Sequence, residues 1–371
     1  MSLIRDVRSI ALLCVGLLIA VVIVAHPVSA QTSKNQGPIK MMIVGDSITA
    51  GQTGDYTWRY WFYTQERAAG VDLSLVGPYT GLATPNPNHL GTTLSSPQHD
   101  NHAYADPDFD QHCLCLWGYS IQSATAAMYN AVAQGKPDYL LVLLGSAELD
   151  FYKVNPDAAA AMIGPLITAA RSANPDVRFI LGQVPENQND ITYPDAAQQD
   201  AAFNADLALE GQQWSTPQSP IVVIDTGIDP ATDLYDNSHP NSHGEVKIAA
   251  AFVSALAASF SVGAPFPVPL PSPPLGPQQA PRLTAKGGKH SATLTWTSSL
   301  GAWDYIVWIH DVTTGASLFP QTSQPTGYTV KLKPGTYSFT VQPEKGSHVA
   351  SPPDAHPALG KSSNTVTVTV S

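Results

Sequence analysis

The chain changes its hydrophobic rhythm three times. From Lys40 to about Phe260, short continuous apolar runs alternate with longer amphipathic stretches. The runs at 40–45, 72–76, 138–145, 177–184 and 220–225 are rich in β-branched residues and read as buried strands. The stretches at 56–69, 117–134, 156–173, 195–213 and 242–259 read as helices; Pro156 and Asp157 suit a helix start after Asn155. Strands buried on both faces and separated by helices predict an α/β fold, a parallel sheet covered by helices on each side.

The rhythm breaks twice. Residues 79–116 hold Pro85, Pro87, Gly91, four histidines (His89, His99, His102, His112) and Asp100, Asp106, Asp108 and Asp110. A loop this long is functional or a polar surface excursion; it leaves the carboxyl end of the second strand, where it would wall a cleft. Its residues lack metal-ligand spacing. Residues 262–283 are proline-dense and offer few backbone donors, so they predict an extended, semi-rigid spacer.

Beyond the spacer the period becomes two: Ala292–Thr297, Asp304–Ile309, Thr329–Leu332, Thr336–Val341 and Asn364–Val370. Short alternating strands punctuated by turn residues predict an all-β sandwich. Tyr305, Val307 and Ile309 share one strand face, and Trp308 and His310 the other. An outward Trp308, with Trp303, would stack on a sugar ring; the alternative is a partly covered surface tryptophan or a domain contact. The expected organisation is a leader over 1–30, a catalytic domain over 31–261, a linker over 262–283 and the sandwich over 284–371.

At the amino end, Arg5 and Arg8 precede an apolar stretch from Ile10 to Ala25, and Val28-Ser29-Ala30 follows. This predicts a secretory signal peptide cleaved after Ala30, with an uncleaved anchor as the alternative. The formal charge of the chain is −11; residues 1–30 carry a net +1, so the remainder stands at −12. With no basic patch, a nucleic-acid partner is not expected. Cys14 lies in the leader, which leaves Cys113 and Cys115; structural cysteines are expected, their redox state open.

Gly45-Asp46-Ser47-Ile48 ends the first strand, and Asp236-Asn-Ser-His239-Pro240-Asn241 precedes the last helix. A serine hydroxyl needs a base, and the base needs a third group to fix its tautomer. An aspartate and a histidine three residues apart on one turn can hydrogen-bond; a turn-forming role is the plain alternative for Asp236. Gly-x-Ser-x-Gly, His-Glu-x-x-His, P-loop and dinucleotide-binding patterns are absent.

On these two motifs, residues 40–260 resemble the SGNH hydrolases, also called the GDSL esterase/lipase family. The resemblance implies a three-layer α/β/α fold with a flavodoxin-like sheet. It implies Ser47 as nucleophile, His239 as base and Asp236 as its orienter, with no cofactor or metal. Oxyanion and substrate-binding positions fall on Gly118 in Trp117-Gly118-Tyr119-Ser120, on Gly145, and on Asp46. Two departures matter: Ile121 stands where a second glycine is usual, and Gly145-Ser146-Ala147-Glu148 stands where the family has Gly-x-Asn-Asp. Loss of one oxyanion donor costs a serine hydrolase roughly a hundred- to a thousandfold in rate. Ser146, Gln183, Asn187 or a loop histidine is the candidate replacement.

The last region resembles a fibronectin type III domain, on Leu294-x-Trp296, Tyr305-x-Val307 and Leu332-x-Pro334-Gly335-x-Tyr337. The expectation is therefore a secreted carboxylic ester hydrolase acting on an O-acetylated polysaccharide, a lipid or a short acyl ester. The alternative is a weakened hydrolase domain that binds glycan or a cell surface, with the C-terminal domain as a further contact. The acyl group, the alcohol and the oligomeric state are not written in the sequence.

Overall fold

A computed structural model describes residues 37–80, 82–83, 104–187, 194–236, 238–318, 321–323, 326–346 and 358–371. The expected leader and His89, His99, Asp100 and His102 lie outside the described residues. Gly37–Ser371 forms one compact unit.

The parallel sheet begins with β1 (Ile39–Gly45), followed by a single helical turn α1 (Ser47–Ala50) and by α2 (Trp58–Ala68) and β2 (Leu73–Leu75). A two-residue strand β3 (Leu114–Cys115), α3 (Ile121–Gly135) and β4 (Tyr139–Leu143) come next. A π-helical turn (Ala147–Phe151) leads to α4 (Pro156–Ala161), α5 (Ile163–Ala173), β5 (Arg178–Gly182), α6 (Ala196–Trp214), β6 (Ile221–Ile224) and α7 (Ser242–Phe260). The strand order is β2-β1-β4-β5-β6, all parallel, with β3 alongside the far end of β1. This is the flavodoxin-like order, in which the chain reverses direction across the sheet between β1 and β4.

Alternation along β1 assigns the two faces. Met42 and Val44 enter one core with residues of α3, α5 and α6, and Met41 and Ile43 enter the other with residues of α2 and α7. The result is the expected three-layer α/β/α arrangement. Among the described residues, no helix is long and apolar enough to cross a membrane.

Two local differences from the expected elements have simple causes. The helix expected over 156–173 divides at Met162, because Pro165 lacks the N–H that would continue the hydrogen-bond ladder and sits instead in the first turn of α5. The strand β3 lies inside the irregular segment; its residues pair with Val44 and Gly45, and a disulfide joins Cys113 to Cys115 beside it.

The C-terminal strands form two antiparallel sheets. The first elements are β7 (Leu283–Gly288), β8 (Ser291–Trp296), β9 (Asp304–Asp311), β10 (Ala316–Ser317) and β11 (Gln321–Ser323). They are followed by β12 (Gly327–Lys331), β13 (Gly335–Lys345), β14 (Ala358–Leu359) and β15 (Val366–Val370). One sheet has the order β12-β8-β7; the other joins β10, β9, β13 and β14, with β11 on β9 and β15 on β13. Leu294, Trp296, Tyr305, Val307, Ile309, Phe339 and Val341 fill the space between them, as the period-two pattern requires.

The proline-dense segment runs without helix or strand along the α/β layers. Phe266 is buried against the α2–α7 face, and Gln65 donates to the carbonyls of Ala264 and Pro265. At its far end the Lys361 N–H donates to the Pro277 carbonyl.

Candidate active site

The carboxyl ends of β1 and β4 flank the reversal in strand order, the crevice where open α/β sheets bind ligands. Asp46 caps α1: its Oδ1 accepts the Ile48 N–H at 3.1 Å, and its carbonyl accepts from Ala50. The cap turns the chain sharply and leaves Ser47 as the first residue of the turn. Beneath it, the fully buried Arg59 donates to the carbonyls of Thr49, Ala50 and Gln111. Burial lowers the Arg59 pKa, and the guanidinium spends its donors on backbone that would otherwise be unpaired.

Across the crevice, Asp236 uses its two oxygens differently. Oδ1 accepts the N–H groups of Ser238 at 2.8 Å and His239 at 2.6 Å, which folds the turn. Oδ2 meets His239 Nδ1 at 2.8 Å, and His239 Nε2 meets Ser47 Oγ at 2.9 Å. The turn-forming role and the ring-orienting geometry are therefore both present in one side chain. The Tyr235 N–H donates to the His239 carbonyl, and Asn241 N–H to the Asp233 carbonyl, which closes the loop ahead of α7.

The charges fit this order. Burial alone would push the Asp236 carboxyl up, but the His239 charge and the hydrogen bonds of His239 and Ser238 outweigh it and hold it below the ordinary carboxylate range. Burial alone would push His239 down; the Asp236 charge and hydrogen bond, with Asp46 behind them, leave it raised above 6.5. Burial raises Asp46 to about 6, against the Ile48 N–H and the His239 charge.

Aromatic rings line His239. Trp117 stacks on the His239 ring at 4.5 Å and 17°, and Tyr235 lies near-parallel to it at 5.9 Å and 16°. Trp117 is placed by a turn closed by the Tyr119 N–H on the Leu116 carbonyl. Gly118 occupies its third position at φ +70°, which a type II turn reserves for glycine. The Gly118 carbonyl accepts from Tyr152 Oη at 3.2 Å. Gly145 lies two residues beyond β4; a Cβ there would meet the Phe203 ring at 2.5 Å.

Ala147 opens the π-helical turn and presents a methyl group where the resemblance expects an amide. Glu148 Oε1 accepts the Ile121 N–H at 2.6 Å, so this carboxyl caps α3 just after the Gly118 turn. Burial raises its pKa to about 7, with Asp46 pushing the same way.

The proposed replacement donors sort as follows. Asn187 is buried, and its Nδ2 donates to Ser238 Oγ at 3.1 Å, which in turn meets Asp150. The Gln183 amide donates to the Asn204 carbonyl. Asn204 makes two bonds to the Val184 backbone and so plays a structural role. Three histidines of the loop lie outside the described residues, and His112 pairs with Asp110 at 2.6 Å. His243 meets Ser272 Oγ. Among the described residues no group of three or more His, Cys, Asp or Glu is arranged to hold a metal ion.

Sequence reasoning missed Arg59, Tyr235 and Lys345. A charged residue inside an aromatic helix start (Trp58-Arg59-Tyr60-Trp61) was the available sign for the first. Nothing local marks the other two. Of the two tryptophans weighed as a sugar platform, Trp303 instead packs edge-on against Tyr235 at 5.3 Å, and Trp308 remains 41% exposed.

No protein-family model matches the chain, and no curated protein matches it in sequence. Solved structures are similar over part of the chain. A carbohydrate esterase family 3 from Talaromyces cellulolyticus shares 26% identity over 57% of this chain and 92% of its own, at a TM-score of 0.45. An acetyl esterase mutant with acetate ion shares 25% over 59% of this chain and 96% of its own, at 0.45. A Clostridium thermocellum family 3 carbohydrate esterase shares 19% over 61% of this chain and 100% of its own, at 0.45. The fold assignment stands on the strand order of this chain itself.

Proposed function

We propose that the chain is a serine esterase of the SGNH type. The single observation that supports it is the continuous hydrogen-bonded line from Ser47 Oγ through His239 to Asp236. With a proton on Nδ1 the ring donates to Asp236 and leaves Nε2 to accept from Ser47. Ser47 Oγ then attacks the ester carbonyl as its proton passes to Nε2. The imidazolium formed is stabilised by Asp236, and it returns the proton to the departing alcohol. Water, deprotonated by the same nitrogen, releases the acid from the acyl-serine.

On this reading the N–H groups of Ser47 and Gly118 hold the developing oxyanion. Gly145 allows the close packing behind them, and Asp46 holds the turn that presents Ser47. Ala147 supplies no side-chain donor, so the oxyanion site works with backbone groups and turnover is modest. The substrate we favour is an acetyl ester of a polysaccharide, suited to a secreted chain with an appended β-sandwich. In this account residues 1–30 are the leader, and the sandwich is of fibronectin type III kind.

One observation favours a second reading. Ala147 and Glu148 depart from the family pattern together, which fits a hydrolase domain that retains a glycan or surface ligand without turnover. Hydrolysis of p-nitrophenyl acetate by residues 31–371, beside Ser47→Ala, separates the two. Turnover lost in the variant supports the esterase; a folded protein no faster than its variant supports the binder.

A further inference from the structure

We propose that the C-terminal β-sandwich is a working part of this site, with Lys345 and Trp303 acting as positioning residues for His239 through Tyr235. The proposal rests on the serine-esterase reading for its catalytic meaning, though the first of its two readouts does not.

Lys345 ends β13, and its side chain is only 11% exposed. Its ammonium pairs with Asp55, itself 12% exposed, and stands 4.5 Å from the centre of the Tyr235 ring. Tyr235 carries the near-parallel contact to His239. Trp303, in the loop before β9, packs against the edge of the same tyrosine and donates its indole N–H to Gln52. Gln52 and Asp55 belong to the loop directly after α1, and the Gln52 N–H donates to Asp55 Oδ2 at 2.8 Å. Two sandwich residues therefore grip the loop behind the nucleophile and the loop that carries the base at once.

A spacer domain needs no such arrangement. Burying an ammonium is costly, and an apolar contact of equal volume would join the two layers at less expense. The charge has a local consequence that an apolar contact would lack. The charged groups facing His239 are Asp236 on its own loop, Asp46 after β1, Asp150 in the π-helical turn and Lys345 from the sandwich. Lys345 is the cation of that set, and it opposes protonation of the ring while the carboxylates favour it. It thereby keeps Nε2 free to accept a proton at lower pH than the triad alone would allow.

The test compares the native chain with Lys345→Met, Lys345→Arg and the double variant Asp55→Asn/Lys345→Met. The double variant removes the pair without leaving a lone buried carboxylate. Two readouts are taken. The first is a nitrogen-15 NMR titration of the His239 ring, identified by its loss in His239→Gln. The second is the pH profile of kcat/KM on p-nitrophenyl acetate. The proposal expects His239 to titrate at higher pH in Lys345→Met and in the double variant. It expects kcat/KM at the acid foot to fall roughly threefold more than on the plateau, and Lys345→Arg to restore both. An unmoved titration in a folded charge-free variant overturns it, even if turnover survives. A moved titration with no turnover in the native chain upholds the coupling and sinks the esterase reading instead.

Discussion

His239 Nε2 lies 2.9 Å from Ser47 Oγ, although 192 residues separate the two in the chain. Neither is held by chance. Ser47 is fixed by the Asp46 cap and the Arg59 bonds beneath α1, and His239 by the Asp236 turn ahead of α7.

The first consequence is a pH limb. On the esterase proposal His239 must be neutral to take the serine proton, and its pKa is raised above 6.5. Activity therefore falls as pH drops through a value above 6.5. In Asp236→Asn the largest raising influence is gone, so the limb moves to lower pH, while the plateau falls by about three to four orders of magnitude through loss of the correct tautomer. A pH–rate profile of both proteins checks this; an unmoved limb would count against His239 as the base.

Trp117 covers one side of the imidazole at 4.5 Å. Trp117→Ala is expected to lower kcat about tenfold by loosening the ring, and to leave the unfolding midpoint nearly unchanged because the residue is on a surface turn. Paired kinetics and thermal unfolding give the comparison. Equal losses in both would make Trp117 a stability residue.

Ala147 leaves the proposed oxyanion site without a side-chain amide. Ala147→Asn is expected to raise kcat by about tenfold or more, with KM changed less, since a donor there acts on the transition state. Steady-state kinetics on p-nitrophenyl acetate decide it; a folded variant with unchanged kcat would show that the site is already complete.

Several buried carboxyls are raised in the folded state: Asp46 to about 6, Glu66, Glu148 and Asp200 to about 7, and Glu245 well above its ordinary value, all chiefly by burial. Between pH 4 and 7 the native chain then binds more protons than the unfolded one, so stability falls as pH rises through that window. His239, raised in the native state, acts in the same direction: its contribution is complete below 6.5 and is lost as pH rises through its folded value. The lowered Asp236 contributes above 3.8 and is constant from pH 5 to 8. The unfolding midpoint is thus expected to be higher at pH 5 than at pH 8. Glu148→Gln, which keeps an acceptor for Ile121, flattens the dependence.

The legible parts of this molecule were those written in short range. Apart from β3, the strands from β1 to β6 are short apolar runs because both faces of a parallel sheet are covered, and this predicts their existence; their order came only from the family resemblance. The Asp236 turn was visible because its two partners are two and three residues away. What escaped depends on distant partners. The strand β3 has only two residues, and its pairing is set by β1. The division at Met162 lies three residues ahead of the proline that causes it. Tyr235, Trp303 and Lys345 gain their meaning only when the sandwich meets the α/β layers, and no period or spacing encodes that meeting. Trp303, one of the two tryptophans weighed as a sugar platform, is drawn to Tyr235 and Gln52.

The central claim is that Ser47 is an activated nucleophile. A fluorophosphonate probe, applied to residues 31–371 at neutral pH and followed by peptide mass spectrometry, tests it without assuming a substrate. The account predicts one adduct, on Ser47, lost in Ser47→Ala and strongly slowed in His239→Gln. Absence of labelling in a folded protein, or labelling that survives His239→Gln at the native rate, would contradict it.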